Sequence, residues 1–170
     1  MVALALVMAL TMVIGSVSIV NAGKLEPTID GYTLFGRHYY KVFGTYGTPI
    51  NWSTANVNAA LETLTVGRKT YVGCLVGITS AEENTFVADL IPSGNHAWIG
   101  AYQTSKDSEP LGNWAWVTGD RWTYTNWGSS EPNNSSGTED WAHMYSDGFW
   151  NDNSATANIY FYVVEFAARW

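Results

Sequence analysis

From Gln103 to Asn153 the sequence is rich in Gly, Ser, Asn, Asp and Trp, a composition that sustains neither a helical nor a strand-like apolar period over its length. Loops that long are usually functional or held by a ligand. Any fold for this chain must therefore pack a short regular frame against a large, polar loop region. The whole chain has 170 residues, enough for one domain with a sizeable core and too few for two ordinary ones. Nine Trp, ten Tyr and six Phe beside sixteen Gly indicate a loop-rich structure built on aromatic packing. The Trp residues read first as core, with sugar stacking on one of them as the second reading.

The regular elements lie on either side of that region. Tyr39-Tyr40-Lys41-Val42 reads as a strand. Ala55, Val57, Ala59, Ala60 and Leu61 recur at helical spacing within 54–64, with Ser53 as a cap. Tyr71 to Val76 is strand-like. The hydroxyl-to-Glu spacing in Thr79-Ser80-Ala81-Glu82-Glu83 is a capping box that opens a second helix over 81–90. Ala97-Trp98-Ile99-Gly100 is a short apolar strand, and 159–166 closes the chain as a strongly β-prone one. This order gives α+β rather than a parallel doubly wound sheet.

Residues 2–20 carry no charge and are nearly all apolar or small, and Val20-Asn21-Ala22-Gly23 offers a small-residue cleavage site. Residues 1–22 thus read as a signal peptide or, if retained, as a membrane anchor. Either sends the remainder across a membrane, so the expected location is secreted or extracellular. Residues 23–37 read as a short linker and 38–168 as the folded domain. Eight Lys and Arg against fifteen Asp and Glu give a net charge of −7, and the cations cluster only at Arg68-Lys69, which excludes a phosphate-binding footprint and hence nucleic acid. Cys74 is the only cysteine, so no intrachain disulfide can form.

Five oxygen-bearing residues stand out in the loop region: Glu131, Asn133, Glu139, Asn151 and Asp152. Calcium takes six to eight oxygen ligands from carboxylates, amide carbonyls and water, and three acids with two amides are such a set. No His or Cys lies among them, which argues against zinc. His143, alone between apolar residues, reads as a packed or surface residue. Pro132 gives the Glu131–Pro132 bond access to the cis form, which would turn Glu131 and Asn133 to one side; a trans proline in an ordinary turn is the alternative.

With these residues the chain resembles the C-type lectin domain, from about Tyr39 to Phe166. The resemblance is carried in order by Trp52 with Ala55, Leu75-Val76, Glu82-Glu83-Asn84, Trp98-Ile99-Gly100, Trp116, Tyr124 and Asn126-Trp127. Glu131-Pro132-Asn133, Glu139-Asp140, Trp150-Asn151-Asp152 and Glu165 complete it. Glu139 follows Glu131 by eight positions and Asn151 follows Glu139 by twelve, spacings similar to those of sugar-binding members. The resemblance implies a C-type-lectin-like fold, with two helices, small antiparallel sheets and a long calcium-binding loop region. It also implies a calcium ion held by the five residues and completed by two neighbouring sugar hydroxyls. Glu-Pro-Asn resembles the mannose-type signature (mannose, glucose, N-acetylglucosamine, fucose) rather than the galactose type. A second ion is implied at Asn134 and Asp140, with Asp107 or Glu109 upstream.

Two departures matter. Ala59, Trp141 and Val164 stand where the resemblance places disulfide cysteines, and a lost disulfide costs a small secreted domain about 2–5 kcal/mol, offset in part by apolar packing. Sequons occur at Asn51, Asn133 and Asn134, but glycosylation at Asn133 would block the metal site. The expected partners are glycans, with homo-oligomers supplying avidity. A module that keeps the fold and binds a protein or ice surface is the alternative. No Ser-His-Asp or Cys-His arrangement points to an enzyme.

Overall fold

The computed structural model describes residues 28–29, 31–45 and 47–167. In chain order the elements are β1 (Thr28–Ile29), β2 (Tyr32–Phe35), β3 (His38–Gly44), α1 (Trp52–Leu61), β4 (Thr63–Val66) and β5 (Lys69–Leu75). They continue as α2 (Ala81–Leu90), β6 (His96–Gln103), β7 (Trp114–Trp116), β8 (Trp141–Tyr145), β9 (Trp150–Asn153) and β10 (Phe161–Ala167). The fold is α+β, as the sequence predicts.

Strand β10 is the hub. It pairs antiparallel with β3 from Phe161 to Phe166 and with β5 from Val164 to Ala167, and parallel with β6 at Phe161 and Tyr162. From β6 the sheet runs on through β8 to β9, and β7 pairs with the far end of β6. The strands therefore join one network rather than separate small sheets. The stretch expected to be a linker also supplies a strand, because Tyr32–Phe35 pairs with β3 and Tyr32 is buried against Phe166. The expected leader or anchor at 1–22 lies outside the described residues. Among the described residues no helix is long and apolar enough to cross a membrane.

Consecutive strand residues point to opposite faces, and here they feed two cores. Leu75, Trp98 and Val164 pack with Trp52, Ala55 and Ala59 of α1. Their neighbours Val76, Ile99 and Val163 pack instead with Phe86 and Val87 of α2 and with Trp116 and Trp150. Both positions read as replacing disulfide cysteines on helix and final strand, Ala59 and Val164, are fully buried in the first core, and Trp141 packs against it. Apolar contact occupies the space between α1 and β10.

The helix starts follow cap chemistry. Asn51, not Ser53, caps α1, its side chain accepting the Thr54 N–H at 2.7 Å, so the helix begins at Trp52. It ends at Leu61 because Glu62 turns to an extended conformation that leads into β4 at Thr63–Val66. Helix α2 begins as its capping box requires, with Ser80 Oγ accepting the Glu83 N–H at 3.2 Å. The Glu83 carboxylate turns instead to Thr79 and to the Tyr40 hydroxyl, which donates to it at 2.7 Å across the core.

Trp98-Ile99-Gly100 locks the two halves together. The Trp98 indole N–H donates to the Ile50 carbonyl (2.7 Å), and Trp52 returns the bond to the Ile99 carbonyl (2.9 Å). At Gly100 the backbones approach so closely that a Cβ would sit 2.7 Å from the Leu75 carbonyl oxygen and 2.9 Å from that of Val76. Backbone on both sides cannot yield as a side chain would. Gly100→Ala is therefore expected to lower the unfolding free energy by about 1–3 kcal/mol, read by chemical denaturation with an unchanged slope.

Candidate functional site

The site is assembled where the loop region meets the β8–β9 hairpin. The hairpin pairs Ala142 with Asp152, His143 with Asn151 and Met144 with Trp150. Trp150 is the buried foot of the arrangement. Its ring lies within 5.5–6.1 Å (centroid to centroid) of Trp116, Trp122, Tyr124 and Trp127. Its indole N–H donates to Asn84 Oδ1 of α2 at 2.7 Å. The other end of the Asn84 amide donates to the Gly148 carbonyl at 3.0 Å, where Asn126 joins it at 2.8 Å. The residues just after the capping box thus fix the hairpin turn.

The chain at 126–128 then docks beside β9, with Trp150 N–H donating to the Asn126 carbonyl (2.9 Å) and Gly128 N–H to the Trp150 carbonyl (2.8 Å). This delivers Glu131-Pro132-Asn133 to Asp152. The Glu131–Pro132 peptide is cis, and Asn133 Nδ2 donates to Glu131 Oε2 at 2.6 Å. Asp152 is fully buried; its Oδ1 accepts the Asn133 N–H (3.0 Å) and its Oδ2 the Asn134 N–H (2.7 Å). Glu139 accepts the Ser135 N–H at 2.7 Å while its own N–H donates to Asn134 Oδ1 at 3.1 Å. Ser130, Asn134 and Ser136 hold left-handed φ values of 70°, 47° and 60°, costly for residues with a Cβ and concentrated in this one loop.

Asn151 faces the same region and, with Glu131, lines a trench of about 620 Å³. Its amide is held by His143, whose role was invisible in the sequence. Burial, reinforced by His96, pushes His143 down to about 3, so its ring is neutral. Nε2 is 3.1 Å from Asn151 Nδ2; accepting there, it leaves the amide oxygen of Asn151 for a ligand. The signal that would have found it is register: His143 sits opposite Asn151 in a hairpin that the loop-like composition concealed.

Glu131, Asn133, Glu139, Asn151 and Asp152 are thus gathered into one region. Among the described residues, no three acidic, His or Cys side chains close into a metal cage by themselves. Any oxygen set here would have to draw on the amides of Asn133 and Asn151 as well. Its electrostatics favour a cation: partial burial first, then Asp152 and Glu139 beside it, push the Glu131 carboxyl up to about 7. Glu139 is raised as well, by burial first and also by Asp152, against the opposing Ser135 hydrogen bond. A hard divalent cation would relieve this crowding, and carboxylates with amide oxygens are donors of the kind it takes.

The second candidate group differs. Asp140 Oδ2 lies 3.2 Å from Lys106 Nζ, and Asn134 Oδ1 is engaged by Glu139. Asp140 Oδ1 and both carboxylate oxygens of Glu109 are buried without a hydrogen-bond partner, as is Gln103 Oε1. Gln103 lies between the two segments, its N–H donating to the Asp140 backbone carbonyl (2.9 Å) and its side-chain amide to the Pro110 backbone carbonyl (3.1 Å). Asp107 is exposed and accepts from the Ser105 hydroxyl at 2.7 Å, whereas the carboxylate oxygens of Glu109 are buried.

A frame of two helices on a mostly antiparallel sheet, topped by an acid–amide loop, is the architecture of the C-type lectins. The family model for the lectin C-type domain matches residues 68–163, and the chain belongs to that family. It is 40% identical to asialoglycoprotein receptor 2 of Rattus norvegicus over 86 residues, 46% of this chain and 26% of the receptor. The match thus spans about a quarter of that relative. In three dimensions it is similar to the C-type lectin CEL-I of Cucumaria echinata (TM-score 0.68, 24% identity, 84% of this chain and 99% of that one). It is likewise similar to a calcium-independent type II antifreeze protein (TM-score 0.64, 23% identity, 87% and 100% of the two chains). At these identities both likenesses are of fold. The family is one of binding modules, not of enzymes.

Proposed function

We propose that this chain is a calcium-dependent lectin for mannose-type sugars, acting outside the cytoplasm. The observation that carries the reading is the convergence of Glu131, Asn133 and Glu139 of the loop with Asn151 and Asp152 of β9, with Glu131 raised to about 7 among like charges. Calcium would be held by these five side chains and would supply a Lewis-acid centre for two vicinal hydroxyls. The residues do the rest. The paired acid and amide of Glu131 and Asn133 accept from and donate to one hydroxyl, and Glu139 and Asn151 offer the same pair to its neighbour. Asp152, fixed by two backbone N–H groups, keeps the loop in register, and His143 keeps the amide oxygen of Asn151 available. Glu-Pro-Asn supports mannose, glucose, N-acetylglucosamine or fucose over galactose. The lectin domain is taken as 38–168 with β2 added. The apolar 1–22 segment supports export, either cleaved or as an anchor, and oligomers would supply avidity.

A mannan column tests this directly. Retention in millimolar calcium with release by chelator is expected; retention indifferent to chelator would favour the protein- or ice-surface alternative.

The pH dependence has a definite sign. A carboxyl whose folded pKa lies above its unfolded one destabilises the fold when ionised, so the calcium-free protein loses stability as pH rises through the interval from 4.5 to about 7. Calcium removes that loss. The rise in thermal midpoint on adding calcium is therefore expected to be larger at about pH 8 than at about pH 5, and Glu131→Gln should flatten the difference.

The unpartnered oxygens of Glu109 and Asp140 extend the reading to a second ion, held with Asn134 once Lys106 releases Asp140. Calorimetry should then give two ions per chain. Glu109→Gln should reduce this to one while leaving mannan retention intact. A wild-type stoichiometry of one would remove the second site.

A further inference from the structure

The three Asn-X-Ser sequons, at Asn51, Asn133 and Asn134, share a motif and differ in their surroundings. Asn133 Nδ2, the atom a glycan would use, donates to Glu131 Oε2 at 2.6 Å. Asn134 is tied to Asp152 through its N–H and to Glu139 through its side-chain oxygen. A glycan on either would stand inside the acid–amide cluster. Asn51 lies elsewhere, at the start of helix α1. Between it and Ser53, Trp52 turns inward and donates its indole N–H to the Ile99 carbonyl, whereas Asn51, Ser53 and Thr54 are all exposed.

The cap geometry suits the modification. Asn51 caps the helix with Oδ1, which accepts the Thr54 N–H at 2.7 Å. N-glycosylation bonds Nδ2 and leaves that carbonyl oxygen intact, so the cap survives it. The helix itself, Trp52–Leu61, carries no charged side chain and exposes Val57 (59%) and Leu61 (75%). A bulky, solubilising group at its head supplies the solvation that its own residues lack. We propose that Asn51 is an N-glycosylation site of the exported protein, and that it alone of the three sequons carries a glycan. In the transfer, Asn51 Nδ2 bonds to the anomeric carbon of an oligosaccharide carried on a polyprenyl diphosphate. The anomeric C–O bond breaks, the diphosphate departs with its electron pair, and the nitrogen yields one proton to a base of the transferase. No oxidant or reductant is needed. The proposal rests on reading residues 1–22 as an export segment.

The test is secretion of the full chain, with its own residues 1–22, from a eukaryotic host that carries the transfer machinery. Intact mass is read before and after peptide-N-glycosidase in heavy-oxygen water, which leaves an isotopic mark at the attachment residue. The wild type is expected to lose one glycan and to be marked at Asn51. Ser53→Ala should abolish the modification while keeping the Asn51 cap, and Ser53→Thr should retain it. The double variant Ser135→Ala with Ser136→Ala should leave the single glycan unchanged. A secreted chain without a glycan at Asn51, a glycan that survives Ser53→Ala, or a mark at Asn133 or Asn134 would overturn the assignment and leave the export reading standing. A chain that never reaches the medium would overturn the export reading and the modification with it.

Discussion

The buried carboxylate of Asp152 is the joint on which the site depends. It accepts two backbone N–H groups from residues eighteen and nineteen positions earlier in the chain, and so converts a polar loop into a defined surface. A buried charge is tolerated only when its oxygens are bonded in this way. The same two bonds hold Asn133 beside Glu131 and leave Asn134 to engage Glu139. Asp152 itself is placed by its neighbour Trp150, whose indole is anchored on Asn84 and enclosed by four other aromatic rings. A chain of contacts therefore runs from helix α2, through one tryptophan, to the loop.

That chain of contacts also shows how the domain does without disulfides. Apolar residues fill the positions at Ala59 and Val164, and β10 is gripped by three other strands. The reciprocal indole bonds of Trp52 and Trp98 cross-link helix α1, the loop at Ile50 and strand β6. Each such bond leaves a buried carbonyl unsatisfied if it is broken, which makes the lattice cooperative. The electrostatic repulsion at Glu131 and Glu139 is the opposing tendency, stored at the place where a cation would relieve it.

Much of this was legible beforehand. The capping box placed α2 correctly because local hydrogen bonding decides a helix start. The strand at Ala97–Gly100 and the closing strand were evident from their apolar, β-prone runs. Where reading failed, the failures were of two physical kinds. Asn51 outcompeted Ser53 as a cap, a choice between adjacent polar residues that composition does not resolve. Strands β2, β8 and β9 were obscured because their residues are polar or aromatic and gain their pairing from distant partners.

The sequence alone determined the chemistry that is available: three acids and two amides at fixed spacing, one cysteine, an aromatic excess and a net charge of −7. Residue type and spacing along the chain are local facts, and they suffice to name a donor set. Only the tertiary structure decided which groups meet. It set His143 against Asn151, gave both oxygens of Asp152 to the loop backbone, and left the carboxylate oxygens of Glu109 buried without partners. Each of these is a relation between residues distant in sequence or on opposite strands of a hairpin. Such relations are set by sheet register and burial, which no local pattern encodes.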